Sequence, residues 1–404
     1  MKGFLSDRKY LVAFFIAAMF SLTSCYVFKA YKYRNFELSA LNKIDAVPLE
    51  ASATPFNFYY DTTAQTKLRE YLDTNLANSL TYAFLVIRND TILYERYFGN
   101  IMPSTVMPAF SVAKSFTGTL VGIALHDGYI KSLDEPVTNY LPELKKNDER
   151  FEGLTIQQVL DMRSGIKSSE NYGNPFGDVL KLGFARNVSK PVLHMKLQQE
   201  PGEFEYKSAN TQLLALIVEK ATGKKLQDYM MEKLWSPLQM EYAATWNTDK
   251  HQTVRAFCCI NAAAKDYAKF GRLYLNKGSW QGKQVIEKDW VQRSVTADTM
   301  LKWGGYKNQW WASPERKAFA DSFDAVKYQE GIAGRAWIKS WKNTEGKKLF
   351  YVYHYSGAYN AEGILGQFIY VNPKNNVIIV RLGHNWSHPK YFAQGFIYEL
   401  GSEL

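Results

Sequence analysis

The β-rich segments of this 404-residue chain lie at its two ends, and this placement constrains the fold more than any other feature. Near the amino end, Thr81 to Gly99 contains two runs of β-branched and aromatic residues around the turn-forming letters RNDT. Three similar runs follow one another in residues 348–383, near the carboxyl end. Residues from about 111 to 250 instead show helical periodicity. Because strands joined by tight turns pair antiparallel, the sequence predicts an α/β (α+β) fold. We expect an antiparallel sheet flanked by helices, with an inserted all-helical lobe.

Composition places the chain among globular proteins and excludes several functions. Hydrophobic residues make up 46% of the sequence and charged residues 22%, so the chain can bury a large core. The formal net charge is +10, but no nucleic-acid-binding motif is present, so we interpret the excess as a solvated basic surface. No spacing of cysteines and histidines is typical of a zinc site, and we expect neither a metal nor an organic cofactor.

The amino terminus has the pattern of an export segment. Basic residues precede an apolar run, Leu11–Leu22, as in a secretory signal or a membrane anchor. The letters LTSC, Leu22–Cys25, resemble the lipobox of bacterial lipoproteins, where Cys25 would carry the lipid. An uncleaved membrane span is the alternative, because apolar residues continue through Phe28. We therefore expect a signal or anchor in 1–25, a tether in 26–55, and an exported, membrane-tethered domain in 56–404.

Two further cysteines, Cys258 and Cys259, are neighbours in the sequence. Adjacent cysteines bridge only with strained geometry. We expect them to be buried thiols and not a disulfide.

A serine and a lysine three residues apart open the most apolar helix of the predicted lobe. The Ser-x-x-Lys pattern occurs four times, but only Ser111 and Lys114 stand at the start of a long apolar helix. Residues three apart share a helix face, and burial lowers the pKa of a lysine, so Lys114 is a candidate base for the Ser111 hydroxyl. The ordinary alternative is that Ser111 caps the helix and Lys114 extends to solvent.

The order of several segments resembles a known family. These segments are "PAFSVAKSFTGTLVGIALHDGYI", "LTIQQVLDMRSGI", "PGEFEYKSANTQLLALIVEKATG", "WSPLQMEYAATWNTD" and "AEGILGQFIYVNPKNNVIIVRLG". Together they resemble the serine β-lactamase and penicillin-binding superfamily over about residues 55–400, and more narrowly its class C-like esterases and 6-aminohexanoate-oligomer hydrolases. The resemblance implies a β-lactamase/transpeptidase-like fold without cofactors. It makes Ser111 the nucleophile, and Lys114 and Tyr206 the groups that share the general-base role.

The sequence departs from the family pattern at two motifs. Where the family often has Tyr-x-Asn, Tyr206 is followed by Ser208, with Asn210 two residues further on. The family's Lys-Thr-Gly is absent. The best match is Ala361-Glu362-Gly363, which makes the backbone N–H of Ile364 the partner of the Ser111 N–H in an oxyanion hole. The letters HYSG, 354–357, are a rival match for the same motif.

These observations predict a serine hydrolase that cleaves a small-molecule or peptide-like amide or ester through an acyl-enzyme. We expect Ser208, Asn210, Tyr172 and Gly363 to contact the substrate. Ser208 and the missing Lys-Thr-Gly favour an esterase or a linear-amide hydrolase over a β-lactamase or a D-alanyl-D-alanine peptidase. A catalytically silent protein that binds cell-wall peptides is the alternative from a different class.

Overall fold

The computed structural model describes residues 29, 43–61, 66–174, 176–298, 305–342, 346–386 and 393–404. The predicted signal or anchor, the lipidation candidate Cys25 and most of the predicted tether lie outside these residues. Within the described ranges, no helix combines the length and the apolar character needed to cross a bilayer.

The strands of the described residues form one large sheet, one small sheet and a hairpin. They are β1 (Ala46–Leu49), β2 (Tyr59–Tyr60), β3 (Thr81–Arg88), β4 (Thr91–Tyr97), β5 (Met107–Pro108), β6 (Ala244–Asn247), β7 (Ile260–Ala262), β8 (Ser279–Trp280), β9 (Lys283–Gln284), β10 (Tyr306–Lys307), β11 (Trp310–Phe319), β12 (Ala336–Lys342), β13 (Lys348–Gly363), β14 (Gln367–Asn372) and β15 (Val377–Gly383).

The helices of the described residues lie between and around these strands. They are α1 (Thr66–Leu76), α2 (Val112–His126), α3 (Ile156–Leu160), α4 (Asp178–Phe184), α5 (Ser189–Leu193), α6 (Ser208–Thr222), α7 (Leu226–Met230), α8 (Ala264–Leu275), α9 (Lys288–Val295), α10 (Ser322–Glu330) and α11 (Ala393–Glu403). Short 3₁₀ turns occupy Val137–Asn139, Pro142–Lys146 and Glu149–Gly153, and a π-helical turn, Met231–Trp235, continues α7.

The large sheet unites strands from both ends of the chain, as predicted. Its order is β10-β11-β13-β14-β15-β3-β4-β2, with β12 also paired to β13. The hairpin β3–β4 meets the last strand, β15, through the register Phe84↔Arg381 and Leu85↔Val380. All pairings in this sheet are antiparallel except the short parallel pair β2–β4. The predicted fold class and antiparallel sheet are therefore confirmed.

Alternating side chains of the sheet build two apolar layers. On β3, Phe84 and Val86 face a cluster that includes residues of α1 and α11, while Leu85 and Ile87 face the larger core of the other side. Helix α8 lies on that second side. Its Gly271 permits close packing, because a Cβ there would lie only 2.8 Å from Ile369. The sheet is thus covered by helices on both faces.

The inserted helical lobe follows β5 and ends before β6, close to the predicted limits of 111–250. Helix α2 runs through its interior, and every residue from Val112 to Ala124 is buried. Helix α6 packs beside α2 and is likewise buried from Ser208 to Val218. The phenyl ring of Phe116 on α2 stacks on Phe270 of α8, with centroids 3.7 Å apart, and so joins the lobe to the helix on the sheet.

The folded domain begins earlier than the predicted boundary at residue 56. Strand β1 pairs with β6 in the small sheet, in the order β1-β6-β7-β5, and Leu49 is completely buried. The predicted tether of 26–55 is therefore wrong over its last part, because Ala46–Leu49 are hydrogen-bonded into the domain.

The sequence analysis predicted a strand at the start of β13, but not the three-stranded extension of the sheet to which it belongs. The extension consists of β11, β12 and the first half of β13, which pair through Arg316↔Tyr353 and Trp337↔Tyr353. Helix α10 packs on one face of the extension. The opposite face continues towards the opening described below.

A buried ion pair between Asp266 and Lys269 stabilises the first turns of α8. The Asp266 carboxylate contacts Lys269 Nζ at 3.0 Å, and both side chains are fully buried. The carboxylate also accepts hydrogen bonds from the backbone N–H groups of Glu241 and Tyr242. Asp266→Ala should lower the free energy of unfolding by about 3–5 kcal/mol, because it leaves a buried ammonium without its counter-charge. Denaturant unfolding measures this change.

The matched control is Asp289→Ala, which removes an exposed aspartate from the first turn of α9. Its expected effect stays within about 0.5 kcal/mol. Equal effects of the two substitutions would contradict a structural role for the Asp266–Lys269 pair.

Candidate active site

The side chain of Ser111 sits at the amino end of α2, where the backbone turns sharply. Phe110, just before it, has φ of +46°, a region that non-glycine residues seldom adopt and that occurs at functional sites. Ser111 itself has helical φ and ψ, and its hydroxyl makes no capping hydrogen bond to the helix. It is 8% exposed and lines an opening with a volume of about 780 Å³. The hydroxyl is thus presented to the opening and is not used as a helix cap.

The Lys114 ammonium group lies directly beside this hydroxyl. Its Nζ donates a hydrogen bond to Ser111 Oγ at 3.0 Å and another to the carbonyl oxygen of Phe257 at 2.8 Å. Lys114 is only 1% exposed. The ordinary alternative, a lysine that extends to solvent, is therefore wrong for this residue.

Burial changes the acidity of Lys114 in the direction a base needs. Loss of hydration disfavours the charged ammonium and lowers the pKa of Lys114 from 10.5 to about 8. The carboxylate of Glu170 works in the opposite direction, because a nearby negative charge favours the ammonium form. An appreciable fraction of neutral amine is thus available near neutral pH.

Tyr206 completes a group of three polar side chains. Lys114 Nζ lies 5.1 Å from the centre of the Tyr206 ring, which stacks on Trp311 at 5.7 Å. Burial raises the pKa of Tyr206 well above its ordinary value, and hydrogen bonding to Ser111 only partly offsets this effect. The sequence analysis expected Tyr206 to share the general-base role. The raised pKa favours the protonated phenol, because desolvation disfavours the phenolate. A share of Tyr206 in the general-base role stays a prediction.

Glu170 is a site residue that the sequence analysis missed. Its carboxylate accepts hydrogen bonds from Ser208 Oγ at 2.5 Å, from the Ser208 backbone N–H at 2.9 Å and from the Tyr172 hydroxyl at 3.1 Å. The carboxylate thus fixes the start of α6, two residues after Tyr206. A glutamate two residues before Tyr172 carried no distinctive motif, so only the folded chain identifies it.

Of the four residues predicted to contact the substrate, two line the opening and two are buried away from it. Tyr172 and Gly363 line the opening. Ser208 is completely buried, and its hydroxyl is bound to Glu170. Asn210 is also completely buried, accepts a hydrogen bond from Ser164 Oγ at 2.6 Å and does not line the opening. Ser208 and Asn210 therefore support the local structure in this arrangement and do not face a substrate.

The end of β13 approaches the backbone just before Ser111. A Cβ on Gly363 would lie 2.2 Å from the carbonyl oxygen of Ala109, so only glycine fits this contact. Ile364 follows at the wall of the opening and is 42% exposed. This placement favours the register with Ala361-Glu362-Gly363, because His354 on the same strand pairs with Glu315 in the extension. An oxyanion role for the Ile364 N–H stays a prediction.

Two cavities meet at Ser111. The first has a volume of about 780 Å³ and is bounded by aromatic and charged side chains of the extension. The second, of about 590 Å³, is largely apolar and includes Phe257 and the two adjacent cysteines. Ser111, Tyr172 and Ile364 line both. A substrate at Ser111 can therefore extend in two directions.

Cys258 and Cys259 form a disulfide with each other, so the expectation of two free thiols is wrong. The backbone makes this possible because Cys259 adopts φ of +77°, in the left-handed region. Their carbonyl oxygens accept hydrogen bonds from Trp246 Nε1 at 3.1 Å and from the Asn247 N–H at 3.0 Å. The disulfide directly follows Phe257, whose carbonyl oxygen holds Lys114.

The described residues contain no cluster of three or more His, Cys, Asp or Glu side chains placed to hold a metal ion. The groups that the structure brings together at the opening are a hydroxyl, an amine and a phenol. A hydroxyl beside a buried amine can attack a carbonyl carbon, with the amine taking the proton. A protonated phenol nearby can donate a proton to a leaving group.

Comparison with known proteins agrees with this chemistry. The family model described as "Beta-lactamase" matches residues 68–399. The chain is 30% identical over 329 residues to the 6-aminohexanoate-dimer hydrolase of Paenarthrobacter ureafaciens, covering 79% of this chain and 76% of that protein.

Two solved structures share the fold. One, from Bacillus anthracis and provisionally assigned as a 6-aminohexanoate-dimer hydrolase, has a TM-score of 0.67 at 23% identity and covers 91% of this chain and 92% of its own. A class C β-lactamase in complex with cefoxitin has a TM-score of 0.54 at 16% identity, covering 85% of this chain and 100% of its own. At these identities the likeness concerns the fold alone.

The pKa of Lys114 generates a prediction about the reactivity of Ser111. Labelling of Ser111 by a fluorophosphonate requires the neutral amine, so its rate should rise as the pH rises through about 8 and level off above it. Glu170→Gln removes the charge that favours the ammonium form and should move this midpoint to lower pH. Labelling rates measured from pH 6 to 10.5 test both expectations.

Glu200→Gln is the control, because Glu200 is an exposed carboxylate paired with Arg150. It should leave the midpoint unchanged. A wild-type midpoint near 10.5, or a midpoint that rises in Glu170→Gln, would contradict the assignment of Lys114 as the base.

Proposed function

The chain belongs to the β-lactamase family of serine hydrolases, and on this premise we propose that it hydrolyses a linear amide or an ester through an acyl-enzyme on Ser111. The observation that carries the proposal is the 3.0 Å hydrogen bond from Lys114 Nζ to Ser111 Oγ at a buried helix start. The fold positions this pair at the junction of two cavities, where an extended substrate has room on both sides.

The reaction follows from the acidities of the two neighbouring groups. Ser111 Oγ attacks the substrate carbonyl carbon while neutral Lys114 takes the hydroxyl proton. The negative carbonyl oxygen is stabilised by the backbone N–H groups of Ser111 and Ile364. Protonated Tyr206 donates its proton to the departing amine or alcohol, and the Lys114 proton restores the phenol. Water then attacks the acyl-enzyme by the same route and releases the acid.

The preference for linear substrates over β-lactams rests on two positions. Ser208 replaces the asparagine of the family's Tyr-x-Asn motif, and its hydroxyl is occupied by Glu170. In the register Ala361-Glu362-Gly363, Ala361 stands at the position of the lysine of the family's third motif, and Glu362 next to it lines the cavity. A β-lactam therefore loses an amide contact and the cation that would pair with its carboxylate, and the Glu362 carboxyl group lies nearby instead. The relationship to a 6-aminohexanoate-dimer hydrolase favours a linear amide as well.

The proposal predicts a defined pattern of substrates. Wild-type protein should hydrolyse p-nitrophenyl esters or 6-aminohexanoate dimer and turn over nitrocefin little, and Ser111→Ala should lose at least about 10³-fold of the ester activity. Ester and nitrocefin hydrolysis are followed by absorbance, and dimer cleavage by amine release.

Ser115→Ala is the matched control, because Ser115 lies on the same helix but its hydroxyl is bound to the Gln309 carbonyl oxygen. It should keep most of the activity. Rapid nitrocefin turnover would overturn the preference for linear substrates, and undiminished activity in Ser111→Ala would overturn the mechanism. A silent binding protein would neither turn over esters nor be labelled by a fluorophosphonate.

We also propose that the chain is exported and held at a membrane by lipid on Cys25. The supporting observations are the basic and apolar amino terminus ending in LTSC, and the Cys258–Cys259 disulfide, since disulfides persist mainly in oxidising compartments.

Cell fractionation tests this proposal on the full chain in a bacterium that processes lipoproteins. Wild-type protein should be found in the membrane fraction and should incorporate labelled palmitate, whereas Cys25→Ala should lose the label. A palmitate-free wild-type protein at the membrane would favour the uncleaved anchor, and protein in the cytoplasm would contradict export.

A further inference from the structure

We propose that the outer wall of the first cavity recognises a negatively charged group on the substrate, remote from the bond that is cleaved. The wall consists of Arg335, Trp337 and Lys339, and we refer to it as the β12 wall. The inference rests on the proposed function, since it names the substrate class of the same site.

Strand geometry directs these three side chains into one cavity. Arg335 immediately precedes β12, and Trp337 and Lys339 follow at spacings of two residues. Alternate residues of a strand face the same side, so the three share one face of the extension. All three line the cavity that also contains Ser111. The intervening Ile338 lies on the opposite face, where α10 packs.

The wall combines cationic and aromatic groups. The Arg335 guanidinium lies 5.9 Å from the centre of the Trp337 ring, and Lys339 Nζ lies 5.9 Å from the centre of the Tyr353 ring. Trp337 stacks on Tyr353 and also contacts Tyr355, which lines the cavity as well. Arg335 and Lys339 are exposed, whereas Trp337 is half-buried. An apolar spacer can therefore lie on the rings while its charged end meets the two cations.

The acidic residues of the same cavity lie at its inner end. Glu170 is held by Ser208 and Tyr172, and Glu362 accepts hydrogen bonds from Gln394. Glu362 directly precedes Gly363, which contacts the backbone before Ser111. The two carboxyl groups thus lie half-buried near the nucleophile, and the two cations lie on the exposed part of the cavity wall. An anionic group is attracted to the mouth and repelled from the interior, which fixes the direction in which the substrate enters.

The ligand chemistry that fits this arrangement is an amide or ester with a carboxylate separated from the reacting carbonyl by an apolar chain. The carboxylate can belong to the acyl part or to the leaving group, because the two cavities meet at Ser111. Carboxylates pair with arginine through two parallel hydrogen bonds and with lysine as a point charge.

The test compares matched substrates that differ only in the remote charge. One series contains mono-p-nitrophenyl esters of dicarboxylic acids with six to twelve carbons, each paired with its neutral methyl ester. The other pair is 4-acetoxybenzoate and 4-acetoxybenzamide, which place the charge on the leaving group. We expect wild-type protein to prefer the anionic member in at least one of these sets, mainly through a lower KM.

The double variant Arg335→Gln/Lys339→Gln should remove this preference. We expect about a ten-fold loss of kcat/KM for the anionic substrate, since each exposed ion contact contributes a factor of about two to five. The readout is the ratio of kcat/KM for the anionic member to kcat/KM for its neutral partner, which should fall to about one, and a melting temperature like that of the wild type shows that the variant is folded. Raising the salt concentration should weaken the wild-type preference and leave that of the variant unchanged.

Lys342→Gln is the matched control. Lys342 is an exposed lysine on the same strand, but it lies on the opposite face from Trp337 and Lys339 and does not line the cavity. It should retain the full preference for the anionic member. A wild-type protein that treats both members alike in every set, or a preference that survives in the double variant, would overturn the proposal. Loss of turnover of neutral esters in Ser111→Ala tests the proposed function separately.

Discussion

The chemistry of this protein depends on one amine that is kept out of water. Lys114 Nζ lies between the Ser111 hydroxyl and the Phe257 carbonyl oxygen, and both contacts require a fully packed helical lobe. The next helical turn is fastened to the same segment, because Thr117 Oγ1 donates to the Ala256 carbonyl oxygen at 3.0 Å. A large core is therefore needed to hold a single basic nitrogen at the right place and with the right acidity.

Desolvation divides the proton-transfer roles between two neighbouring side chains. Burial favours the neutral form of both groups, so a larger fraction of Lys114 is a neutral amine that can accept a proton, and Tyr206 favours the phenol form that can donate one. Glu170 moderates this effect on Lys114. Desolvation thus provides Ser111 with a proton acceptor for its attack and with a proton donor for the leaving group, and acyl transfer needs both.

The sequence predicted the parts of the structure that depend on local periodicity or on side-chain chemistry. The antiparallel sheet follows from the strand patterns, and the Ser111–Lys114 pair follows from a helix pattern together with the family resemblance; the structure contains both. Local patterns do not report three-dimensional neighbours. Asn210 was therefore expected at the substrate, although it is bound to Ser164, and the role of Phe257 depends on a backbone carbonyl that no motif reveals. The disulfide goes together with a left-handed backbone conformation at Cys259, which cannot be predicted from the sequence because Cys259 is not a glycine.

The joining of both chain ends in one sheet has a consequence for the timing of assembly. Ser111 is synthesised about 250 residues before Gly363, the residue that must press against the backbone preceding it. The central strand β3 likewise pairs with β15, the last strand in the described residues, which is synthesised about 300 residues later. Contacts of such long sequence separation form late in folding. The contacts that complete the site around Ser111 therefore cannot form until Gly363 has been synthesised.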